Sequence, residues 1–175
     1  MTWKHPFPKT TITSVFGTTA RRTSPHRGTD YAPGVNTLIP AVTAGTVAVT
    51  AWSNCLGWYM VQTGSANGKT WYVGYCHLSC PEHGPECSGP KQHPDGSNNF
   101  KNLKVGDKLK LGQPVGRVGN TGKCSKGAHV HTTLGTTVKA VTSGKVYDLA
   151  AFIDDQAKTA TPVAVKRCPT CKQTL

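Results

Sequence analysis

Gly127-Ala128-His129-Val130-His131 is the stretch on which the reading of this chain depends. Its two histidines stand two residues apart in a run rich in Val and Thr, residue types that favour strands. On a β-strand, such positions share a face and lie about 7 Å apart. Two imidazoles over one spot can divide the work, one binding a metal while its neighbour moves protons. Taken alone, the pair also reads as an exposed polar stripe, so partners elsewhere in the chain must decide.

Composition narrows the setting. A length of 175 residues supports one domain with a sizeable core. With 37% hydrophobic and only 16% charged residues, 19 Gly and 12 Pro, the chain reads as mainly β and rich in turns. The excess of 20 Lys/Arg over 8 Asp/Glu gives a formal charge of +12, which favours an anionic partner. The basic residues are scattered and no nucleic-acid-binding motif is present, so anionic cell-wall polymers are expected rather than nucleic acid. No apolar h-region follows Met1 and no apolar run is long enough to span a membrane, so neither a signal peptide nor a span is expected. Seven Cys, an odd number in a chain read as cytosolic, predict no disulfide framework.

The expected strands are Thr11–Phe16, Thr29–Ala32, Val42–Ala51, Trp58–Gln62, Thr70–Tyr75, Lys108–Leu111 and Pro114–Gly119, followed by the one carrying His129 and His131. Asn67-Gly68 marks a tight hairpin. From Ser79 to Asn102, Pro, Gly, Ser and Asn predict a long loop. One short helix is expected over Val146–Ile153. Residues 1–153 then form the domain, and 154–175 a linker-like basic tail ending in Cys168-Pro169-Thr170-Cys171.

Partners for the two histidines come from His26-x-x-x-Asp30. On one flat strand these residues would stand about 13 Å apart, but Pro25 before and Arg27-Gly28 after His26 allow the chain to bend. His, Asp and a second His are three N/O ligands, leaving a fourth tetrahedral position open, the pattern of a catalytic zinc. Alone, His26 and Asp30 also read as a loop ion pair. Tyr75-Cys76-His77-Leu78 ends a strand and adds a further histidine, which by itself reads as a hydrogen-bonding residue.

Seven segments now fall in a telling order: Ile12-Thr13-Ser14-Val15-Phe16-Gly17, His26-Arg27-Gly28-Thr29-Asp30-Tyr31-Ala32, the Pro40–Val47 stretch, Tyr75-Cys76-His77-Leu78-Ser79, Val105-Gly106-Asp107, the Gly112–Gly122 stretch and Gly127-Ala128-His129-Val130-His131. Over roughly residues 11–135 the chain resembles the lysostaphin-like (LytM-type) zinc endopeptidases, which cut the peptide part of bacterial peptidoglycan. The resemblance implies that His26, Asp30 and His131 are zinc ligands and that His129 and His77 are the catalytic pair. It implies a twisted antiparallel sheet lining a narrow zinc-containing groove, with long loops. Three departures stand out. Thr132-Thr133 replaces the usual Phe-Glu, Thr18-Thr19-Ala20 precedes Arg21-Arg22, and no tyrosine lies between Ile12 and His26.

The expected chemistry follows. Zinc supplies Lewis acidity and lowers the pKa of its water. With no H-E-x-x-H glutamate in the chain, a histidine must be the general base, and His129 is assigned that role. His77, as a cation or through its N–H, would steady the oxyanion or protonate the leaving amine. The expected protein is a monomeric phage endolysin or tail lysin, made in the host cytoplasm and acting at the wall after holin release or from the virion. The alternative is an inactive module of the same fold that binds wall peptides or activates another hydrolase. Cys80, His83, Cys87 and His93 are candidates for a second, structural zinc, or Cys80 and Cys87 for a disulfide. Cys76 is expected to be a buried thiol facing away from His77, and Trp52, Trp58, Trp71 and Tyr72 to be core.

Overall fold

A computed structural model describes residues 1–20, 22–79 and 103–159. Among the described residues nine strands run as β1 (Ile12–Ser14), β2 (Thr29–Tyr31), β3 (Leu38–Pro40), β4 (Gly45–Ser53), β5 (Gly57–Ala66), β6 (Lys69–Leu78), β7 (Lys108–Leu109), β8 (Pro114–Arg117) and β9 (Val130–Gly135). Helices α1 (Val138–Thr142) and α2 (Leu149–Thr159) follow. Seven strands form one antiparallel sheet in the order β1-β2-β9-β6-β5-β4-β7, and β3 pairs with β8 in a separate ribbon. The fold is thus mainly β, as the sequence predicts.

Alternation explains the long strands. On β5 and β6, Trp58, Met60, Tyr75, Val73 and Leu78 are buried on one side, joined there by Tyr31, Val130 and Leu134 from β2 and β9. Burying such side chains contributes about 1.5–3 kcal/mol each. The β5–β6 hairpin turns at Asn67 and Gly68, both at positive φ (51° and 71°), which the Asn-Gly pair tolerates at little cost. The buried amide of Gln62 in this core is fully engaged. Gln62 Nε2 donates to Thr43 O (3.0 Å), and Gln62 Oε1 accepts from Tyr75 Oη (2.7 Å).

Trp58 is buried and Trp52 and Trp71 are partly buried against the core, as expected, whereas Tyr72 is half-buried and lies outside that cluster. The structure differs elsewhere. Leu38–Pro40 is a strand that its short, Pro-ended sequence does not announce. Helix α1 is not among the expected elements, its two valines and terminal Thr being residue types that favour strands. Thr137 nucleates it, its side chain accepting the Ala140 N–H at 3.0 Å. Arg27 donates to the carbonyls of Ala140 and Gly144 at its far end. Helix α2 begins three residues later than expected, after Asp148, whose carboxylate caps Ala150 and Ala151 N–H. It runs six residues beyond Ile153, and Asp154 on it binds His5 and Lys9 of the N-terminal arm. Residues 160–175, with the Cys168/Cys171 pair, lie outside the described residues, as do Cys80, His83, Cys87 and His93.

Two features were not foreseen. Cys55 and Cys124, 69 residues apart in sequence, form a disulfide with a Cα–Cα distance of 4.8 Å. The spacing carries no motif; only the folding of the β4–β5 turn against the segment before β9 brings the pair together. A cross-link closing so long a loop is worth about 4 kcal/mol in the chain-entropy account. The second is a bulge in β6. Tyr75 pairs with Met60 and Leu78 with Trp58, so Cys76 and His77 together oppose Tyr59 alone. His77 takes φ +62°, a left-handed conformation more open to His than to most side chains. Because Tyr75 and Leu78 both face the core, Cys76 and His77 both fall on the other side. Cys76 is a buried free thiol as expected, but it shares His77's face instead of opposing it.

Candidate active site

A row of residues crosses four strands on the face away from that core. Ser14 on β1 stands opposite Asp30 on β2, Asp30 opposite His131 on β9, and His131 opposite Cys76 on β6. Directly opposed residues of antiparallel strands project to one side, so register alone assembles this row. His26 joins it from the loop before β2. Its backbone is pinned by His26 N–H to Thr18 O (2.9 Å) and Gly17 N–H to His26 O (2.8 Å), the bend that Pro25 and Gly28 permit.

Three donor atoms converge. His26 Nε2 lies 3.0 Å from His131 Nδ1 and 3.1 Å from Asp30 Oδ1, and His131 Nδ1 lies 2.8 Å from Asp30 Oδ1. Among the described residues this is the group of His, Cys, Asp and Glu side chains whose ligand atoms can share one ion. Zinc with tetrahedral bonds near 2.0 Å separates its ligands by about 3.3 Å, so a triangle with these edges fits the metal with little adjustment. The donor chemistry agrees. His26 Nδ1 is 3.1 Å from the Val15 carbonyl, so it carries the proton and leaves Nε2 as a lone pair directed inward.

Burial alone would raise the Asp30 carboxyl. The His131 and His26 rings packed against it outweigh burial and hold the group well below the usual carboxylate range. Its second oxygen, Oδ2, accepts from Arg22 Nη2 at 3.3 Å, and the same Arg22 nitrogen is 3.2 Å from Ser14 Oγ. Burial pushes the His131 imidazole down and the Cys76 thiol up to about 12.

The other two histidines stand beside this cluster, their rings 4.7 Å apart. His129 Nδ1 is 2.8 Å from Gly127 O, and its Nε2 is 3.8 Å from Asp30 Oδ1. His77 Nδ1 is 2.8 Å from Thr121 O. In each ring Nδ1–H faces a carbonyl, so Nε2 is the lone-pair nitrogen. Burial, aided by the neighbouring His129, lowers His77 to about 4, so at neutral pH its resting form is neutral. At rest the ring is thus neutral, with Nδ1 committed to Thr121 O.

All five sequence-predicted residues thus meet at one place, the floor of a groove of about 1220 Å³. Sequence reasoning missed Arg22, Ser14 and the two carbonyls of Thr121 and Gly127. Backbone carbonyls have no sequence signature, and Arg22 is one of several scattered basic residues. The departures Thr132 and Thr133 have definite partners. Thr132 Oγ1 donates to Thr29 O (2.9 Å), tying β9 to β2, and Thr133 Oγ1 to Val141 O (3.2 Å), tying it to α1.

No protein-family model matches the sequence. Solved structures do. LytU is similar at 27% identity and TM-score 0.60, over 87% of this chain and 90% of that one. A variant catalytic domain of the prophage-encoded M23 protein EnpA from Enterococcus faecalis is similar at 27% identity and TM-score 0.58, over 83% and 93%. A zinc-containing peptidase from Vibrio cholerae is similar at 23% identity and TM-score 0.54, over 77% of this chain. This chain spans only 36% of that longer protein. The agreement with LytU and EnpA over more than four-fifths of both partners identifies the fold as that of the LytM-type (lysostaphin-like) M23 peptidases.

Proposed function

We propose that the protein is a zinc-dependent endopeptidase that hydrolyses peptide bonds, in cross-links or stems, of bacterial peptidoglycan. The observation that carries this reading is the inward triangle of His26 Nε2, Asp30 Oδ1 and His131 Nδ1 with the His77 and His129 rings beside it. These three residues would hold the ion, which supplies Lewis acidity for the amide carbonyl and acidifies water.

The remaining roles belong to the chain. His129, its Nδ1–H committed to Gly127 O, offers Nε2 as general base for the attacking water. The imidazolium so formed is favoured by the Asp30 carboxylate 3.8 Å away, and it returns the proton to the leaving amine nitrogen. His77, neutral and committed at Nδ1 to Thr121 O, accepts a hydrogen bond at Nε2 and so orients the water or the departing amine. The formal charge of +12 suits a wall carrying anionic polymers. A phage setting is part of the proposal and is supported by the prophage-encoded EnpA among the structural relatives. No helix among the described residues is long and apolar enough to cross a membrane.

Isolated peptidoglycan and the purified protein of measured zinc content provide the test, read as release of free amines. The expected result is release that disappears on chelation and in His129→Ala, the latter with its zinc retained. Tight wall binding without release, from walls of several chemotypes, would replace this reading with a non-catalytic wall-binding module.

A further inference from the structure

The segment from Gly119 to Gly127 sets the orientation of both non-ligand histidines. Thr121 O receives His77 Nδ1–H, and Gly127 O receives His129 Nδ1–H. Between its ends the segment joins no strand ladder; isolated bridges flank it at Val118 and Gly119. What holds it is a set of single contacts to the β4–β5 turn and the end of β6. Lys123 N–H donates to Asn54 O (2.8 Å), Cys124 N–H to Cys55 O (3.3 Å) and Trp58 N–H to Thr121 Oγ1 (3.0 Å), while Thr121 Oγ1 donates to Leu78 O (2.7 Å). The Cys55–Cys124 disulfide is the covalent tie among them, it borders the groove, and Cys124 is exposed to solvent and so open to attack by thiols.

We propose that the Cys55–Cys124 disulfide is the positioning element of the His77/His129 pair, so that hydrolysis depends on the oxidised state of these two cysteines. The inference rests on the peptidase reading for its catalytic consequence, though its structural half stands without it. Two equivalents of a small thiol reduce the bond. Two electrons and two protons pass to the two sulfurs, giving two cysteine thiols, and the donors couple as a disulfide. A small-molecule disulfide reverses the exchange. In a thiol-rich compartment the segment is released and the two rings lose their fixed acceptors. In an oxidising one the site is assembled.

The test compares the zinc-loaded protein oxidised, reduced with a phosphine, and reoxidised with oxidised glutathione, zinc content being measured in each state. The expected result is a kcat lower by roughly 10- to 100-fold on reduction, with KM and zinc content little changed, and recovery on reoxidation. The Cys55→Ser/Cys124→Ser protein should show the low rate with and without phosphine, which separates this pair from the other cysteines. Long-range 15N–1H spectra give a readout independent of activity. His77 and His129 should be Nδ1–H tautomers when oxidised and mixed when reduced, and the reduced wild-type protein serves here if the double variant does not fold. An unchanged kcat together with unchanged tautomers on reduction would overturn the inference. Tautomers that respond to reduction in a protein that releases no amine would leave the positioning intact and overturn the peptidase reading instead.

Discussion

Asp30 and His131 stand directly opposite one another on β2 and β9, with Asp30 Oδ1 2.8 Å from His131 Nδ1. Two ligand atoms are thereby set by strand register, whereas the third, His26 Nε2, is delivered by a loop.

Removing the base should separate chemistry from metal binding. In His129→Ala the His26/Asp30/His131 triangle is untouched, so zinc stoichiometry should stay at the wild-type value. Hydrolysis should fall about 10²- to 10⁴-fold, the usual contribution of a positioned general base. Zinc analysis and amine release on one preparation check both halves. Loss of zinc along with activity would assign His129 to metal binding.

Arg22 should matter for the metal though it does not reach the triangle. Its Nη2 steadies Asp30 Oδ2 and Ser14 Oγ, leaving Oδ1 directed at His26 and His131. Arg22→Ala should weaken zinc affinity about 10- to 100-fold, the range for partners of ligating carboxylates. Competition against a chromogenic chelator measures it. An unchanged affinity would mean that the half-exposed ion pair is a surface contact of little weight.

Gly28 has no room for a side chain. A Cβ there would lie 2.2 Å from Thr132 O and 2.7 Å from His131 Cε1, and the first of these is backbone that cannot step aside. Gly28→Ala should therefore push β2 from β9, lowering both thermal stability and zinc content, whereas Gly127→Ala, with open space at its Cβ, should not. Melting curves and metal analysis of the two variants provide the comparison.

Stability of the metal-free protein should fall with acid in a defined window. His77 titrates at 6.5 when unfolded and is lowered to about 4 when folded, so between these values the unfolded chain binds more protons. The folded state keeps its full advantage above pH 6.5 and loses up to about 3 kcal/mol as pH drops to 4. His131 shifts the same way and adds to the loss. Asp30, lowered, contributes only below its unfolded value of 3.8. Thermal melts in chelator from pH 7 to 4 should show the decline, and His77→Gln should flatten it. Parallel slopes for the two proteins would remove His77 as the cause.

Much of the site was legible in the sequence because its residues are chemically specific and their spacing meets strand and bend geometry. Period two and a kink beside Pro25 and Gly28 made His129-x-His131 and His26-x-x-x-Asp30 candidates for one site, and the resemblance to the LytM-type peptidases gave each residue its expected role. The long strands were legible from alternation, and the hairpin from Asn67-Gly68. What escaped depends on tertiary context. Cys55–Cys124 joins two turns with no motif between them. Helix α1 carries β-favouring residues and is fixed by the Thr137 cap and Arg27. The facing of Cys76 was misjudged because alternation assumes a regular ladder, and β6 is not regular there.

That irregularity amounts to a phase shift. Upstream of Cys76, odd-numbered residues of β6 such as Val73 and Tyr75 point to the core. Downstream the even-numbered Leu78 does, and the change of parity is absorbed by two neighbours that share the groove side. Deleting one residue between Tyr75 and Leu78 would restore a flat strand and keep the core packed, yet would leave only one position facing the groove where two now stand. Transplanting this site onto another sheet therefore requires copying the length of β6 as well as its side chains.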